Sequence, residues 1–316
     1  MSIKSYIGKK KVCVVGHNGY VGSTLYNSLL DNGVTVTKID DLDISNPNDP
    51  LWELFEIYRF DVIFWLASAD LSSIPSNMKE KDIDGLLKER DVNCDSLLYL
   101  HKALNGQTPT IVFTSSTNIY GDVSEKVVSE KTNENPQTLW QSHKILSENY
   151  IKILFPNSIS LRIPNIFGII PNYSNENTYF RPVVNKVIRW GIEKRKLMLY
   201  KNKSCFRDYL HIYDLIEALL LAGLQKSTEK RYYNLGCDNS LTIEDTWNII
   251  AECLNNIPIE YDDRELSDME TRSFTSDYTE FKKLTGWNPK YTLHYGIEES
   301  IEQIKKVIND STVSHK

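Results

Sequence analysis

Val12-Cys13-Val14-Val15 runs straight into Gly16-His17-Asn18-Gly19-Tyr20-Val21-Gly22, an unbroken apolar run followed by three glycines at three-residue spacing. The pattern reads as a buried strand, a tight turn and a helix opening near Tyr20. One glycine permits the turn, one lets the backbone approach a pyrophosphate, and one lets the helix pack close to the strand. The helix N-terminus presents N–H donors and the positive end of its dipole to phosphate oxygens. Roughly 20 residues further on, the run Val36-Thr37-Lys38-Ile39 ends in Asp40, where a carboxylate can accept hydrogen bonds from an adenosine ribose diol. Gly16, Gly19, Tyr20, Val21, Gly22 and Asp40 are therefore expected to bind a dinucleotide. A carboxylate at Asp40 repels a 2′-phosphate, so NAD is expected and NADP is disfavoured, with Lys38 pulling the other way.

The alternation continues along the first half. Residues 34–39, 61–66, 110–114 and 158–163 read as buried strands, while 51–58 and 96–104 carry the i, i+3, i+4 apolar spacing of helices. Strands alternating with helices imply a parallel sheet covered on both faces, a Rossmann-type doubly wound α/β fold. After Pro164 the pattern loosens into loops rich in Asn, Tyr and Pro, which predicts a smaller mixed α/β C-terminal lobe. With 316 residues, 41% hydrophobic and 25% charged, the chain can bury a sizeable core, which excludes disorder and a fibrous repeat. The formal charge of −6 comes with no basic cluster, which argues against nucleic acid or a membrane surface as partner. Cys13, Cys94, Cys205, Cys237 and Cys253 contain no C-x-x-C pair, so neither a disulfide framework nor a metal site is expected. No apolar run approaches the ~18 residues of a membrane span, and 12–15 is too short for the core of a signal peptide. The expectation is a reduced, cytoplasmic, unprocessed chain.

Further segments follow in order: Asp43-Ile44, Asp61-Val62-Ile63-Phe64-Trp65-Leu66-Ala67-Ser68, Asn93, and Thr114-Ser115-Ser116-Thr117-Asn118-Ile119-Tyr120-Gly121. After them come Leu161-Arg162-Ile163-Pro164-Asn165-Ile166-Phe167-Gly168, Arg207-Asp208-Tyr209-Leu210-His211-Ile212-Tyr213-Asp214 and Gly286-Trp287-Asn288-Pro289-Lys290. Over nearly the whole chain this series resembles the extended short-chain dehydrogenase/reductase family, the NAD-dependent nucleotide-sugar epimerases and dehydratases. The resemblance implies that residues 1–165 form an NAD-binding Rossmann domain to which the chain returns around 206–240. It assigns 166–205 and 241–316 to a nucleotide-sugar-binding lobe, and adds Asp43, Ile44, Leu66, Ala67, Asn93 and Lys144 to the cofactor set. It also implies a mechanism in which a serine holds the reacting sugar hydroxyl, a tyrosine four residues before a lysine moves the proton, and a hydride passes at the same carbon. A neighbouring ammonium can lower a phenol from about 10 toward working pH, where a general base is most effective. In this chain the serine is Ser116 and the lysine Lys144.

The tyrosine is missing. The segment reads Pro136-Gln137-Thr138-Leu139-Trp140-Gln141-Ser142-His143-Lys144-Ile145-Leu146-Ser147-Glu148, with proline, lysine and glutamate in register and Trp140 at the tyrosine position. An indole N–H only donates and cannot become an oxyanion. Three readings stay open: an enzyme in which another group moves the proton, a catalytically impaired homologue that binds dinucleotide and nucleotide sugar, and an enzyme whose ligand is not a nucleotide sugar. For the first, His143 is three residues from Trp140, and histidine titrates near neutrality. Tyr173 and Tyr179 are the other candidates.

Family dehydratases carry an Asp-Glu pair directly after the serine or threonine. Here Thr117 and Asn118 stand there, which disfavours elimination of water and leaves hydride chemistry at sugar C4: dehydrogenation, ketone reduction or 4-epimerisation. The implied partner is a nucleotide-diphosphate sugar, with Arg207 and Arg272 clamping the diphosphate. Asn165 would meet a phosphate or sugar oxygen, Tyr200 would lie near the nucleobase, and Thr117, Asn118 and Tyr179 would line the sugar pocket. Helices near 86–104 and 140–154 correspond to those with which family members form homodimers. The charged stretch 79–91 is read as a solvated face.

Overall fold

The computed structural model describes residues 7–39, 42–69, 80–170, 178–225, 232–238, 241–264, 266 and 272–313. The chain divides into two compact units: residues 1–119, 136–162 and 219–233 form the first, and 120–135, 163–218 and 234–316 the second. No described helix is long and apolar enough to cross a membrane.

Unit 1 is built on a sheet of strands β1 (Val12–Val15), β2 (Val36–Lys38), β3 (Val62–Trp65), β4 (Thr110–Ser116), β5 (Ser158–Ile163) and β6 (Tyr232–Asn234), in the order β6-β5-β4-β3-β1-β2. β1 pairs in parallel with both β2 and β3, and β3 with β4. Strand order reverses at β1, so the crevice outside the carboxyl ends of β1 and β3 is the topological switch point. Every residue of β1 and β3 is buried, whereas β2, expected as a buried strand over 34–39, lies at the sheet edge with Val36 and Thr37 half-buried and Lys38 exposed. Helices α1 (Tyr20–Asp31), α2 (Glu53–Ile57), α3 (Glu80–Arg90), α4 (Ser96–Ala103) and α5 (Leu139–Leu154) cover the sheet. Cys13, Ile63, Trp65, Ile111 and Phe113 pack with Phe55, Leu97, Leu100 and Ile151 in one core.

Helices α3 and α4 are joined by a π turn, Asp91–Asp95. The expected helix over 96–104 is thus the last part of a longer rod. Of the expected solvated face at 79–91, residue 79 and the side chains of 80–82 lie outside the described residues, and Glu89 is a correction, being 2% exposed and held against α5.

Unit 2 has short strands and a helical core. Asn165–Phe167 pairs in parallel with Tyr209–His211, Leu197–Tyr200 with Ile259–Asp262, and Val127–Val128 with Thr275–Ser276; Phe206–Arg207 pairs antiparallel with Leu241–Thr242. Helices α6 (Val183–Lys194), α8 (Ile243–Cys253), α9 (Thr279–Thr285) and α10 (Leu293–Val313) complete it, with the first part of α7 (Ile212–Ala222), whose residues 219–222 belong to unit 1. Val184, Ile188, Leu199, Trp247, Ile250 and Ile297 form the centre of its core. Asp214 accepts hydrogen bonds from the backbone N–H groups of Lys290 and Tyr291 (both 3.0 Å). The indole of Trp287 donates to the Asp214 carbonyl at 3.1 Å. Two sequence motifs far apart in the chain are therefore joined structurally.

Candidate active site

The glycine turn lies at the switch point of unit 1. Gly16 has φ +90°, and a Cβ there would lie 2.6 Å from the backbone nitrogen of Ala67. The loops leaving β1 and β3 therefore touch backbone to backbone. A Cβ on Gly22 would lie 2.1 Å from the Gly16 carbonyl oxygen, so no side chain fits where α1 packs on the turn. Gly19 is the N-cap of α1, which no side chain caps. A cradle too tight for a Cβ, at a helix start with no side-chain cap, fits a pyrophosphate.

Tyr20 and Val21 open α1, and Leu66 donates its N–H to the Val15 carbonyl at 2.9 Å. Asn93, inside the π turn and 2% exposed, donates to the Ala69 carbonyl (2.8 Å) and accepts from the Ala69 N–H (2.9 Å) and the Ser68 hydroxyl (3.1 Å). One amide side chain thereby fixes the segment after β3. Asp43 accepts from the Ser45 hydroxyl at 2.6 Å, the largest cause holding its carboxyl below the usual range, and Ile44 packs on the unit 1 core. Asp40 and Tyr173 lie outside the described residues.

Ser116 ends β4, where its hydroxyl accepts from the Asn118 N–H at 3.1 Å. Thr117 is buried beside it. The Gln141 side chain donates to the Asn118 carbonyl at 2.8 Å. Gln141 also forms a reciprocal capping box with Thr138 at the start of α5, so the serine turn and the helix start are fixed together. Trp140 and Lys144, four residues apart on α5, share a helix face. The Lys144 ammonium donates to the Thr114 carbonyl at 3.0 Å, and sits 5.0 Å from the Phe113 ring centroid and 5.6 Å from that of Trp140. The indole face thus stabilises the ammonium without titrating. Trp140 Nε1 is buried and has no hydrogen-bond partner among the described residues. His143 turns elsewhere: its Nδ1 lies 3.2 Å from the buried carboxylate of Glu89. Below it, the bidentate Arg162–Glu148 pair (2.7 and 3.0 Å) ties α5 to β5.

Unit 2 contains a cavity of about 440 Å³ lined by Asn165, Tyr200, Arg207 and Arg272, all singled out from sequence. Its other walls include Lys186, Trp190, Trp247 and Arg264, which sequence reasoning missed. The signal for the first two was the pairing of Lys186 with Trp190 four residues on, along α6. Arg207 and Arg272 are 8% and 9% exposed, and the Arg207 guanidinium donates to the Phe206 carbonyl (2.8 Å) and to the Arg272 carbonyl. Burial, then the like charge of Arg207, push Arg272 down to about 10; burial also lowers Arg207. Two buried guanidiniums that each carry a desolvation penalty favour an anion. The Arg264 guanidinium stacks 4.3 Å from the Tyr200 ring centroid, and the Asn165 amide donates to the Asp208 carbonyl at 3.3 Å. Tyr179 is 4% exposed in the unit 2 core and does not line this cavity.

A phosphate-cradling turn at the switch point of a doubly wound sheet defines a dinucleotide-binding α/β protein. The model of the NAD dependent epimerase/dehydratase family matches residues 12–236, and the chain belongs to that family. Its cofactor is NAD, and Gly16, Gly19 and Gly22 with the start of α1 are the groups that fit it. The UDP-glucose 4-epimerase of Mycoplasma pneumoniae is 26% identical, over 98% of this chain and 97% of the relative. Among solved structures, the UDP-glucose 4-epimerase of Thermotoga maritima with UDP-glucose has a TM-score of 0.77 at 20% identity, covering 94% of this chain and 99% of the other. The UDP-glucuronic acid 4-epimerase of Bacillus cereus, in complex with UDP-glucuronic acid and NAD, has a TM-score of 0.75 at 18% identity, covering 94% and 99%.

Proposed function

We propose that the chain is a UDP-hexose-modifying oxidoreductase whose hydride chemistry takes place at sugar C4, with 4-epimerisation as its reaction. The observation that carries this reading is the unit 2 cavity, where Arg207 and Arg272 are buried side by side with aromatic walls. That set suits a diphosphate attached to a flat base. Thr117 and Asn118 follow Ser116 where a dehydratase needs carboxylates, which supports hydride transfer over elimination.

NAD supplies a hydride acceptor and donor when bound. The chain's own groups do the rest. Ser116 holds a sugar oxygen by hydrogen bonding at the end of β4. Lys144 supplies a positive charge from α5, anchored by Thr114 and the rings of Phe113 and Trp140. Trp140 Nε1–H is buried away from the surface, and an indole cannot take a ligand's proton. His143 is engaged by Glu89 and Tyr179 by the core of unit 2, so we assign neither the tyrosine's role. General acid–base help is worth ~10²–10⁴ in rate, while orientation is worth roughly 7–11 kcal/mol of barrier. Turnover without the phenol is therefore slow rather than absent.

The second reading, a homologue that binds both ligands without turnover, is favoured by the same Trp140. Incubating the protein with NAD and UDP-glucose and analysing the nucleotide sugars by chromatography separates the two. Formation of UDP-galactose supports the first; calorimetric binding of both ligands with the sugar unchanged supports the second. Absence of UDP-sugar binding overturns both.

A further inference from the structure

Cys253 is the last residue of α8, and His294 and Glu298 stand one turn apart at the start of α10, which packs on α8 within unit 2. The Cys253 sulfur lies 4.0 Å from His294 Nε2. Glu298 lies at the ring's other nitrogen, with a carboxylate oxygen 3.6 Å from His294 Nδ1, so it must swing toward the Nε2 edge to share a metal ion with Cys253. One donor atom from each of the three residues falls within 4.8 Å of the other two. Zn–S and Zn–N bonds of about 2.3 and 2.0 Å at tetrahedral angles separate sulfur from nitrogen by roughly 3.6 Å. The pair must therefore close by only a few tenths of an ångström, and both His294 and Glu298 are exposed enough to do so.

The chemistry of the set is selective. Thiolate, imidazole and carboxylate together suit a borderline-soft divalent ion and not magnesium or calcium, which take oxygen ligands. The side facing solvent leaves room for a water ligand. Spacing along the chain hides the cluster: the sulfur and the imidazole are 41 residues apart, so the reading of cysteine pairs that predicted no metal site could not register it.

We propose that Cys253, His294 and Glu298 bind one zinc ion, with water as the fourth ligand, clamping the end of α8 to the start of α10. The site is separate from the groups assigned to nucleotide and sugar, and stands or falls apart from the reaction proposed above.

The test is a titration of metal-free full-length protein with cobalt(II), followed by displacement with zinc. The expected result is one equivalent of cobalt with a thiolate charge-transfer band that zinc bleaches. Cys253→Ser abolishes the band, and His294→Ala and Glu298→Gln weaken binding at least tenfold. Zinc raises the melting temperature of the wild type and leaves that of Cys253→Ser unmoved. A band that survives in Cys253→Ser arises from another thiol and overturns the proposal, as does the absence of any stoichiometric band. Equal affinity in wild type and His294→Ala reduces the cluster to an ordinary surface ion pair and also overturns it.

Discussion

In the function proposed here, Trp140 sets the chemistry at the scale of one side chain. A tyrosine at this point would sit against the Lys144 ammonium and titrate, whereas the indole does not. Trp140→Tyr is expected to raise turnover of UDP-glucose by ~10²–10⁴ and to add a rise of rate with pH that the wild type lacks. Trp140→Phe, which keeps an aromatic face for Lys144 and removes a buried N–H that has no partner among the described residues, should leave KM for the sugar near the wild-type value. Steady-state kinetics across pH check both, and a Trp140→Tyr enzyme no faster than wild type would remove Trp140 from the explanation. Asp208 gives a different residue-level outcome. Burial pushes its carboxyl up to about 7, against the hydrogen bond it accepts from the Ser276 N–H at 2.6 Å. Between about pH 4 and 7 the folded state therefore keeps a proton that the unfolded state releases, and stability falls as pH rises through that window. Asp208→Asn should melt progressively higher than wild type as pH climbs through it; a pH-independent difference would mean the carboxyl is ionised throughout. The residues that carried the most information were legible in sequence where the backbone demands them, as at Gly16 and Gly22. Arg264 and Trp247 were not, because a cavity wall is set by which faces of separate elements meet.

Helix α5 concentrates the structural dependencies of unit 1. Its N-terminus is fixed by the Thr138–Gln141 capping box, and its body by the buried Glu148–Arg162 pair. Thr138→Ala should destabilise the protein by about 1 kcal/mol. Glu148→Gln should destabilise it by about 3–5 kcal/mol, because it leaves the Arg162 guanidinium, 1% exposed, without its carboxylate. Chemical denaturation measures both, and near-equal losses would contradict the ranking. In the glycine turn, Gly22→Ala should lower NAD affinity by at least tenfold, read by calorimetry, since its Cβ collides with the Gly16 carbonyl oxygen. Strands were read within one or two residues because each is a short apolar run closed by polar or turn residues; 158–163 coincides with β5. The π turn at Asp91–Asp95 was not legible. One extra residue in a helical turn leaves almost no periodic trace, and here it is stabilised by a tertiary contact, the Ser147 hydroxyl donating to the Asn93 carbonyl at 2.7 Å.

For the whole molecule, the doubly wound sheet of unit 1 followed from alternating strands and helices, and the family resemblance implied that the chain returns to it, but not the bounds of the two units. Residues 120–135 and 206–218 belong with unit 2 by their contacts, and such long-range choices leave no local signature. Helices α3, α4 and α5 leave Ile83, Leu87, Leu98, Leu139, Leu146 and Ile153 exposed, apolar area that a second copy would cover. We propose a homodimer through these helices: sedimentation should give twice the 36.5 kDa chain mass, and Leu87→Asp with Ile153→Asp should give the monomer. The most direct test of C4 hydride chemistry is incubation with NAD and UDP-glucose carrying deuterium at C4, followed by mass spectrometry of sugar and cofactor. Deuterium recovered on the reduced cofactor, or retained at C4 of the epimerised sugar, is the predicted result. Deuterium lost to solvent, or a bound sugar that never exchanges or epimerises, would contradict it.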